Sequence, residues 1–235
     1  MPASRDVLTS GSGHVRRKAP SKLRITRQLP AERRQALIEA TIESLKAHGH
    51  EGLSVRRIAA TAGVSAGLIN HHFPSIDQLI AEAYRHFSRE LTASLDKATA
   101  RSESPTARLR AFLQASFSPP VLQADVLTVW VVFWSLYRHS KQIRRAHKET
   151  YGRYVELVQR LLSDVMQQAG KHRLGVRLTA IGLTAMLDGL WLEWCLDPRN
   201  FSPKEAVMLC ESWIQHVLLS SKLEEKARSQ RGKAR

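Results

Sequence analysis

Residues 54–73 of this 235-residue chain read SVRRIAATAGVSAGLINHHF and decide its fold. A helix-turn-helix motif needs a small residue where its two helices cross, a glycine at the left-handed turn, and a branched apolar residue that seats the second helix. Ala59, Gly63 and Ile69 meet these needs at spacings of four and six. The stretch therefore predicts a helix-turn-helix. An ordinary αα-hairpin is the alternative that the motif alone leaves open.

Helical patterns continue on both sides of this motif. Upstream, apolar residues on one face predict a helix over residues 34–47, and Gly49 suits a left-handed helix end. Downstream, Ser75 and Gln78 form an S-x-x-Q capping box at the start of a long helix. Further helical segments follow at residues 105–117, 122–138, 141–169, 176–196 and 203–223. The predicted class is all-α: an N-terminal three-helix head, joined by a long fourth helix to a larger C-terminal helical domain.

Positive charge concentrates at the two ends of the chain. The formal net charge is +15; residues 1–35 hold nine Lys or Arg against two acids, and residues 222–235 hold six against two. We expect residues 1–29 to form a basic flexible arm and residues 222–235 a basic flexible tail. Basic ends beside a folded domain predict a polyanionic partner, either nucleic acid or a membrane surface, with solubilising arms as the alternative. The arm contains Arg16, Arg17 and Lys18.

Other features exclude several classes of protein. Cys195 and Cys210 stand in apolar segments without a CxxC partner, which indicates core residues and not a disulfide framework or zinc site. The N-terminal region has no apolar run long enough for a signal peptide, and Asp188 and Glu193 interrupt the apolar segment 178–196. We therefore expect a cytoplasmic protein without membrane contact. Metalloprotease, nucleophile-elbow and phosphate-loop motifs are absent, so we expect no enzyme, metal or cofactor.

Residues 33–79 resemble the amino-terminal domain of the TetR family of bacterial transcriptional repressors. The resemblance lies in the pattern RRQALIEATIESLKAHG, the core LSVRRIAATAGVSAGLINHHF and the capped fourth helix. It implies a DNA-binding domain over residues 30–91, with phosphate contacts from Ser54, Arg56 and His72. The outer face and tip of the third helix are then expected to contact base edges or the adjacent backbone. The residues there are Ser65, Ala66, Gly67, Leu68, Asn70 and His71.

Two positions depart from the family pattern. The family often has tyrosine where Asn70 stands and lysine where Ile76 stands. Asn70 is suited to a bidentate contact with adenine, which gives a different base preference. The missing lysine removes one phosphate contact. We expect the basic arm to compensate by following the DNA backbone or entering a minor groove.

Aromatic residues and one carboxylate mark the C-terminal half. Trp130 and Trp134 lie four positions apart on one helix face, with Tyr137 a turn further on. Asp188 lies in an apolar helix, one turn before Trp191. Aromatic rings with one buried acid suit a quaternary ammonium ion, because the rings attract a cation that has no hydrogen-bond donors. Packing in the core or in a dimer interface is the alternative.

The segments WVVFWSLYRHS, IRRAHKETYGRYVELVQRLL and AMLDGLWLEWCL resemble the sensing domain of the BetI-like, choline-responsive subgroup of this family. The resemblance implies a ligand-binding and dimerisation domain over residues 92–221. It also implies choline or a related amine near Trp130, Trp134, Asp188 and Trp191. Polyamines, other quaternary amines and a non-amine catabolite remain alternatives.

The pattern of the last two helices predicts a homodimer. The helix at residues 176–196 is apolar nearly all round, so one of its faces is expected to pack on a second copy together with the last helix. Two-fold symmetry predicts a roughly palindromic double-stranded operator. The expected function is a repressor whose small-molecule effector releases it from DNA by a population shift. A non-regulatory DNA-binding protein with the same head is the rival.

Overall fold

A computed structural model describes residues 29–170 and 175–233, with side chains as far as Leu218. These residues form nine α-helices and no strand, which confirms the all-α class. A 3₁₀ helix at Gly49–Leu53 joins the first two. Within the described residues, no helix has both the length and the apolar character needed to cross a membrane. The helices are α1 Pro30–His48, α2 Val55–Ala62, α3 Ala66–His72, α4 Ile76–Thr99, α5 Pro105–Ser116, α6 Ala124–Tyr137, α7 Lys141–Gln168, α8 Val176–Leu196 and α9 Pro203–Lys233.

Helices α2 and α3 form the helix-turn-helix. Ser54 caps α2, because its hydroxyl accepts a hydrogen bond from the backbone N–H of Arg57 at 3.2 Å. Gly63 ends α2 with a φ of 68°, a left-handed conformation that glycine adopts without strain. Ile58 and Ile69 are buried in one cluster and hold the two helices together. The predicted motif is therefore present, with the predicted glycine at its turn.

One cap expected at this motif is missing. Ser65 occupies the N-cap position of α3 with an extended backbone, but its side chain makes no capping hydrogen bond. The N–H of Leu68 donates instead to the backbone carbonyl of Ser65 at 3.1 Å. Because this donor is already engaged, the Ser65 hydroxyl is not needed to satisfy it and lies exposed at the tip of α3.

Helix α4 joins the head to the body as one continuous helix of 24 residues. The Ser75 hydroxyl accepts the N–H of Gln78 at 3.2 Å, as expected for its N-cap. Leu79 and Tyr84 on its predicted apolar stripe are buried. The expected boundary between the two domains, at residues 91 and 92, falls inside this helix. The two parts of the chain are therefore joined by one continuous helix.

Two clusters of buried side chains hold the helices together. The first packs the head and the first half of α4 against Val129 and Phe133 of α6 and the start of α7. The second joins the rest of α4 with α5, α7, α8 and α9 around Phe112 and Cys210. Both cysteines are free thiols, and Cys195 is only half-buried. The head therefore shares its core with α6, a helix of the C-terminal half.

The last helix begins as predicted and ends later. The Ser202 N–H donates to the Glu205 carboxylate at 2.7 Å, and the Glu205 N–H donates to the Ser202 hydroxyl at 3.3 Å, a reciprocal capping box. Sequence patterns predict an end near residue 223 and a flexible tail beyond it, whereas the backbone of α9 is helical to Lys233. The prediction is corrected for a simple reason. Residues 222–231 contain no glycine or proline and are rich in Glu, Lys, Ala and Arg, which favour helix.

Candidate nucleic-acid interface and ligand cavity

The outer face of α3 is open to solvent. Ile69 anchors the helix from behind, with 1% of its surface exposed. Leu68 is half-buried beside it. Because the anchor faces the core, α3 presents small and polar side chains outward, a surface that fits a major groove. The exposed residues are Ser65, Ala66, Gly67, Asn70 and His71.

His72 differs from these neighbours. Its ring is half-buried, and Nε2 has no solvent contact and no hydrogen-bond partner among the described residues. Burial lowers the pKa of His72, and the positive charges of His71, Arg33 and Arg34 lower it further. Nε2 cannot contact a phosphate unless the ring turns. The predicted phosphate contact of His72 therefore requires a rearrangement or the other ring nitrogen.

The two arginines of α2 differ in their contacts. Arg57 pairs with Glu51 at 3.2 Å. Arg56 is exposed and forms no ion pair or hydrogen bond with any residue that the structure describes. Ser54 is exposed as well, although its hydroxyl already serves as the cap of α2. Outside the described residues lie the arm residues Arg16, Arg17 and Lys18.

A cavity of about 50 Å³ lies between α4, α6, α7 and α8. Four of the five residues predicted to bind a ligand line it: Trp130, Trp134, Asp188 and Trp191. Among its described lining residues there is no Arg, Lys or His, so Asp188 supplies the formal charge of the wall. The other lining residues are Tyr84, Ser88, Leu91, Thr92, Leu95, Tyr151 and Tyr154.

Aromatic rings hold one another in place around the cavity. The Trp130 ring meets Tyr84 edge-on at a centroid distance of 5.6 Å and stacks on Trp134 at 6.1 Å. The indole N–H of Trp191 donates to the Ser116 carbonyl at 2.9 Å, which ties this ring to α5. These contacts hold the aromatic rings of the cavity wall in fixed positions.

Asp188 is the unusual group in this wall. Its carboxylate has no hydrogen bond and no ion pair with a described residue, and burial raises its pKa to about 6. A carboxylate on an apolar helix face ordinarily has an Arg, a His or a helix N-terminus as its partner. Since no such partner occurs among the described residues, the ionised form is held at a cost. A bound cation would remove that cost.

Tyr137 does not join the cavity. Its side chain is 40% exposed and meets the ring of His147 edge-on at 5.0 Å. It lies on an open groove on the outer side of α7, beside Arg144. The prediction that placed Tyr137 with the other ligand residues is corrected. Tyr137 ends α6 about 10 Å along the helix axis beyond Trp130, so a shared helix face does not bring both rings to one cavity.

Three tyrosines of the cavity wall are not among the predicted ligand residues. Tyr84 is expected only as part of the apolar stripe of α4, and its hydroxyl shares a 2.8 Å hydrogen bond with Nδ1 of His147. Tyr151 and Tyr154 lie on α7 and line the same wall. Their spacing of three places both residues on one face of α7, but it does not show which helix that face meets.

Comparison with known proteins gives matches in both halves. Residues 37–83 match the family model for bacterial regulatory proteins of the tetR family, and residues 105–219 match that for the C-terminal domain of BetI-type transcriptional repressors. The chain is 33% identical over 189 residues to the HTH-type transcriptional regulator BetI of Burkholderia mallei, across 79% of this chain and 93% of that protein. The BetI of Burkholderia thailandensis is 34% identical over 190 residues, with the same two coverages.

Solved structures share the fold. A transcriptional regulator from Pseudomonas aeruginosa is 40% identical with a TM-score of 0.76, and the match covers 84% of this chain and 95% of that one. A transcriptional regulator from Saccharomonospora viridis, crystallised in complex with choline, is 22% identical with a TM-score of 0.66, across 80% and 97% of the two chains. At this lower identity the second match shows the fold alone.

The burial of Asp188 predicts a pH-dependent difference between the wild type and Asp188→Asn. With a folded-state pKa of about 6, the carboxyl keeps its proton in the folded state between about pH 4 and 6, where the unfolded chain has released it. Stability from this group is therefore lost as pH rises through that window. The Asn variant does not titrate. Its free energy of unfolding is expected to equal that of the wild type near about pH 4 and to exceed it near about pH 7.5 by on the order of 2 kcal/mol.

Urea unfolding at the two pH values measures this difference. Other titrating groups are common to both proteins and cancel in the comparison. A difference in stability that is the same at both pH values would show that Asp188 is not held in a desolvated site.

Proposed function

The chain belongs to the TetR family of bacterial transcriptional regulators and carries a BetI-type C-terminal domain, and on this premise we propose that it is a repressor released from its operator by a quaternary ammonium ligand such as choline. It is a ligand-responsive, DNA-binding regulator and not an enzyme. A regulator of chromosomal operators acts in the cytoplasm. The observation that carries the choice of ligand is the unpaired Asp188 carboxylate in a cavity walled by aromatic rings.

Charge and size favour a small quaternary ammonium ion. Such an ion has no N–H to donate, so its site needs negative potential and no array of hydrogen-bond acceptors. The rings of the three tryptophans supply this potential, and Asp188 balances the charge. The cavity of about 50 Å³ has room for a few water molecules, and its single carboxylate balances one positive charge and not the several charges of a polyamine. The Saccharomonospora viridis regulator, crystallised in complex with choline, is an example of this fold holding a quaternary ammonium ion.

Ligand binding acts on the head through α4 and α6. Tyr84 lines the cavity and packs on Trp130, within the buried cluster that also holds α1, α2 and α3. A ligand larger than the unfilled space displaces one of these two helices. Because both helices pack against the head, the displacement changes the position of α3. A ligand that prefers this second arrangement weakens operator binding by a coupling free energy of about 1–3 kcal/mol.

The head divides its contacts between bases and phosphates. Asn70, exposed on α3, carries an amide that pairs with the edge of adenine. Arg56 is the unpaired cation of α2 and contacts a phosphate, with Ser54 beside it. The basic arm adds phosphate contacts through Arg16, Arg17 and Lys18. Base edges or the adjacent backbone are contacted by Ser65, Ala66, Gly67, Leu68 and His71.

The exposed apolar side chains of α8 and α9 support a homodimer. Six of the large hydrophobic side chains exposed in the described chain lie on these two helices. An apolar surface of this kind marks a protein interface. Packing α8 and α9 of two copies gives a four-helix interface and sets two heads on one palindromic operator. The six residues are Leu178, Ile181, Leu192, Leu196, Met208 and Leu209.

Substitutions in the head separate the two kinds of DNA contact. Asn70→Ala is expected to weaken operator binding by about 1–3 kcal/mol and to leave binding to unrelated DNA unchanged, because only the specific complex uses the amide. Arg56→Ala is expected to weaken binding to the operator and to unrelated DNA alike. It is also expected to reduce the slope of log K against log salt concentration by about 1. Arg57→Ala, which removes the neighbouring arginine paired with Glu51, is the control. Fluorescence anisotropy at several salt concentrations measures each variant; equal losses on both DNAs for Asn70→Ala would exclude the base contact.

A charge in the α8–α9 surface tests the dimer. Met208 is 64% exposed in the single chain. Met208→Lys is expected to give a monomer by sedimentation and to weaken operator binding by about 100-fold, because the two half-sites are no longer bound together. Val131→Lys, at a residue 43% exposed on α6, is the control and is expected to stay dimeric. A dimeric Met208→Lys variant would place the interface elsewhere.

Tryptophan fluorescence tests the ligand, because three of the five tryptophans line the cavity. The wild type is expected to respond to choline, and Asp188→Asn to bind it about tenfold or more weakly. Tyr137→Phe changes a ring outside the cavity and is the matched control with unchanged affinity. A folded protein that responds to none of choline, betaine aldehyde and spermidine would remove the amine ligand.

A further inference from the structure

The polar atoms of the cavity wall fall into two groups. The indole N–H of Trp191 donates to the Ser116 carbonyl, and the Tyr84 hydroxyl is hydrogen-bonded to His147. The Tyr154 hydroxyl, in contrast, is shielded from solvent and has no hydrogen-bond partner among the described residues. Tyr154 lines the cavity together with Asp188. The Asp188 carboxylate and the Tyr154 phenol are thus two largely buried groups of this wall that have no partner among the described residues.

A buried hydroxyl without a partner destabilises a folded protein, so such groups are rare and indicate water or a ligand. Burial raises the pKa of Tyr154 well above its ordinary value, and the negative charge of Asp188 raises it further. The phenol therefore stays protonated and can donate one hydrogen bond and accept another.

We propose that Tyr154 is a specificity-determining residue that hydrogen-bonds an oxygen of the ligand. The cavity then selects quaternary ammonium ions that carry a hydroxyl or carbonyl oxygen over ions of the same size that lack one. This role rests on the proposed function, because it takes the ammonium group to be held by Asp188 and the tryptophans. Because Tyr154 and Asp188 line the same cavity, the oxygen and the ammonium group belong to one molecule.

The charge of the wall limits which oxygen is accepted. Among the described lining residues no cation is present to balance a second negative charge next to Asp188. A ligand carboxylate would be buried there without a partner, which is costly. The favoured ligand is therefore an alcohol or an aldehyde of a quaternary amine and not the corresponding acid.

Fluorescence titration with three cations tests the role of Tyr154. Choline is compared with ethyltrimethylammonium, which has hydrogen in place of the hydroxyl, and propyltrimethylammonium, which has a methyl group there. The wild type is expected to bind choline about tenfold or more tightly than either analogue. Tyr154→Phe is expected to bind the analogues within about twofold of the wild type and to lose the preference for choline.

Two further measurements separate recognition from support of the fold. Tyr137→Phe is the matched control: its ring lies outside the cavity, so the ratio of choline to analogue affinity is expected to persist. Tyr154→Phe is expected to raise the Tm of the unliganded protein, because it removes an unsatisfied polar group. A residue that only supports the fold would not combine higher stability with weaker choline binding.

The outcomes distinguish this role from the proposed function. A wild type that binds choline and both analogues equally overturns the role of Tyr154 and leaves the quaternary ammonium ligand in place. A Tyr154→Phe variant that keeps the full preference for choline would show that another group binds the ligand oxygen. This result also overturns the role of Tyr154. A wild type that binds none of the three cations overturns the proposed ligand itself.

Discussion

In the proposed mechanism, ligand control of DNA binding depends on the packing of Tyr84 between the cavity and the head. Helix α4 carries this ring from the head into the cavity wall, where it meets Trp130 at 5.6 Å and Phe133 at 4.8 Å. Both partners belong to α6, which also packs against α1. The Tyr84 hydroxyl adds a 2.8 Å bond to His147 of α7. Because interiors are close-packed, we propose that a ligand entering here displaces the helices that hold the helix-turn-helix.

Asp188 supplies the formal negative charge of the same cavity. A carboxylate whose pKa is raised to about 6 by burial is less stable in the folded chain than in water at neutral pH. Stability is thus given up to hold a charge without a partner. A cation that fills the cavity recovers this free energy, and the aromatic rings favour one with no donors to satisfy. In the proposed function, the unpaired charge and the aromatic rings therefore suit this cavity to a quaternary ammonium ligand.

The helices and turn of the head can be predicted from short sequence patterns. The residues that line the cavity depend on tertiary packing, so the sequence predicts only some of them. Ser54 and Gly63 form hydrogen bonds with residues close to them in the sequence, so their positions predict a helix cap and a turn. Trp130 and Asp188 are recognisable because each stands out on its own helix. The participation of Tyr154 depends on which face of α7 meets α8, and no local pattern determines that. Tyr137 shares a helix face with Trp130 but lies outside the cavity. Helical spacing defines a face, and it does not define how far along the helix axis a cavity extends.

The link between the cavity and the head is tested most directly by operator binding with and without saturating choline. Fluorescence anisotropy on DNA from the region upstream of its own gene gives the two affinities, and the fluorescence titration verifies that the ligand is bound. We predict an affinity about 5–150-fold weaker with the ligand. An operator affinity that does not change when the cavity is occupied would contradict the coupling through α4 and α6.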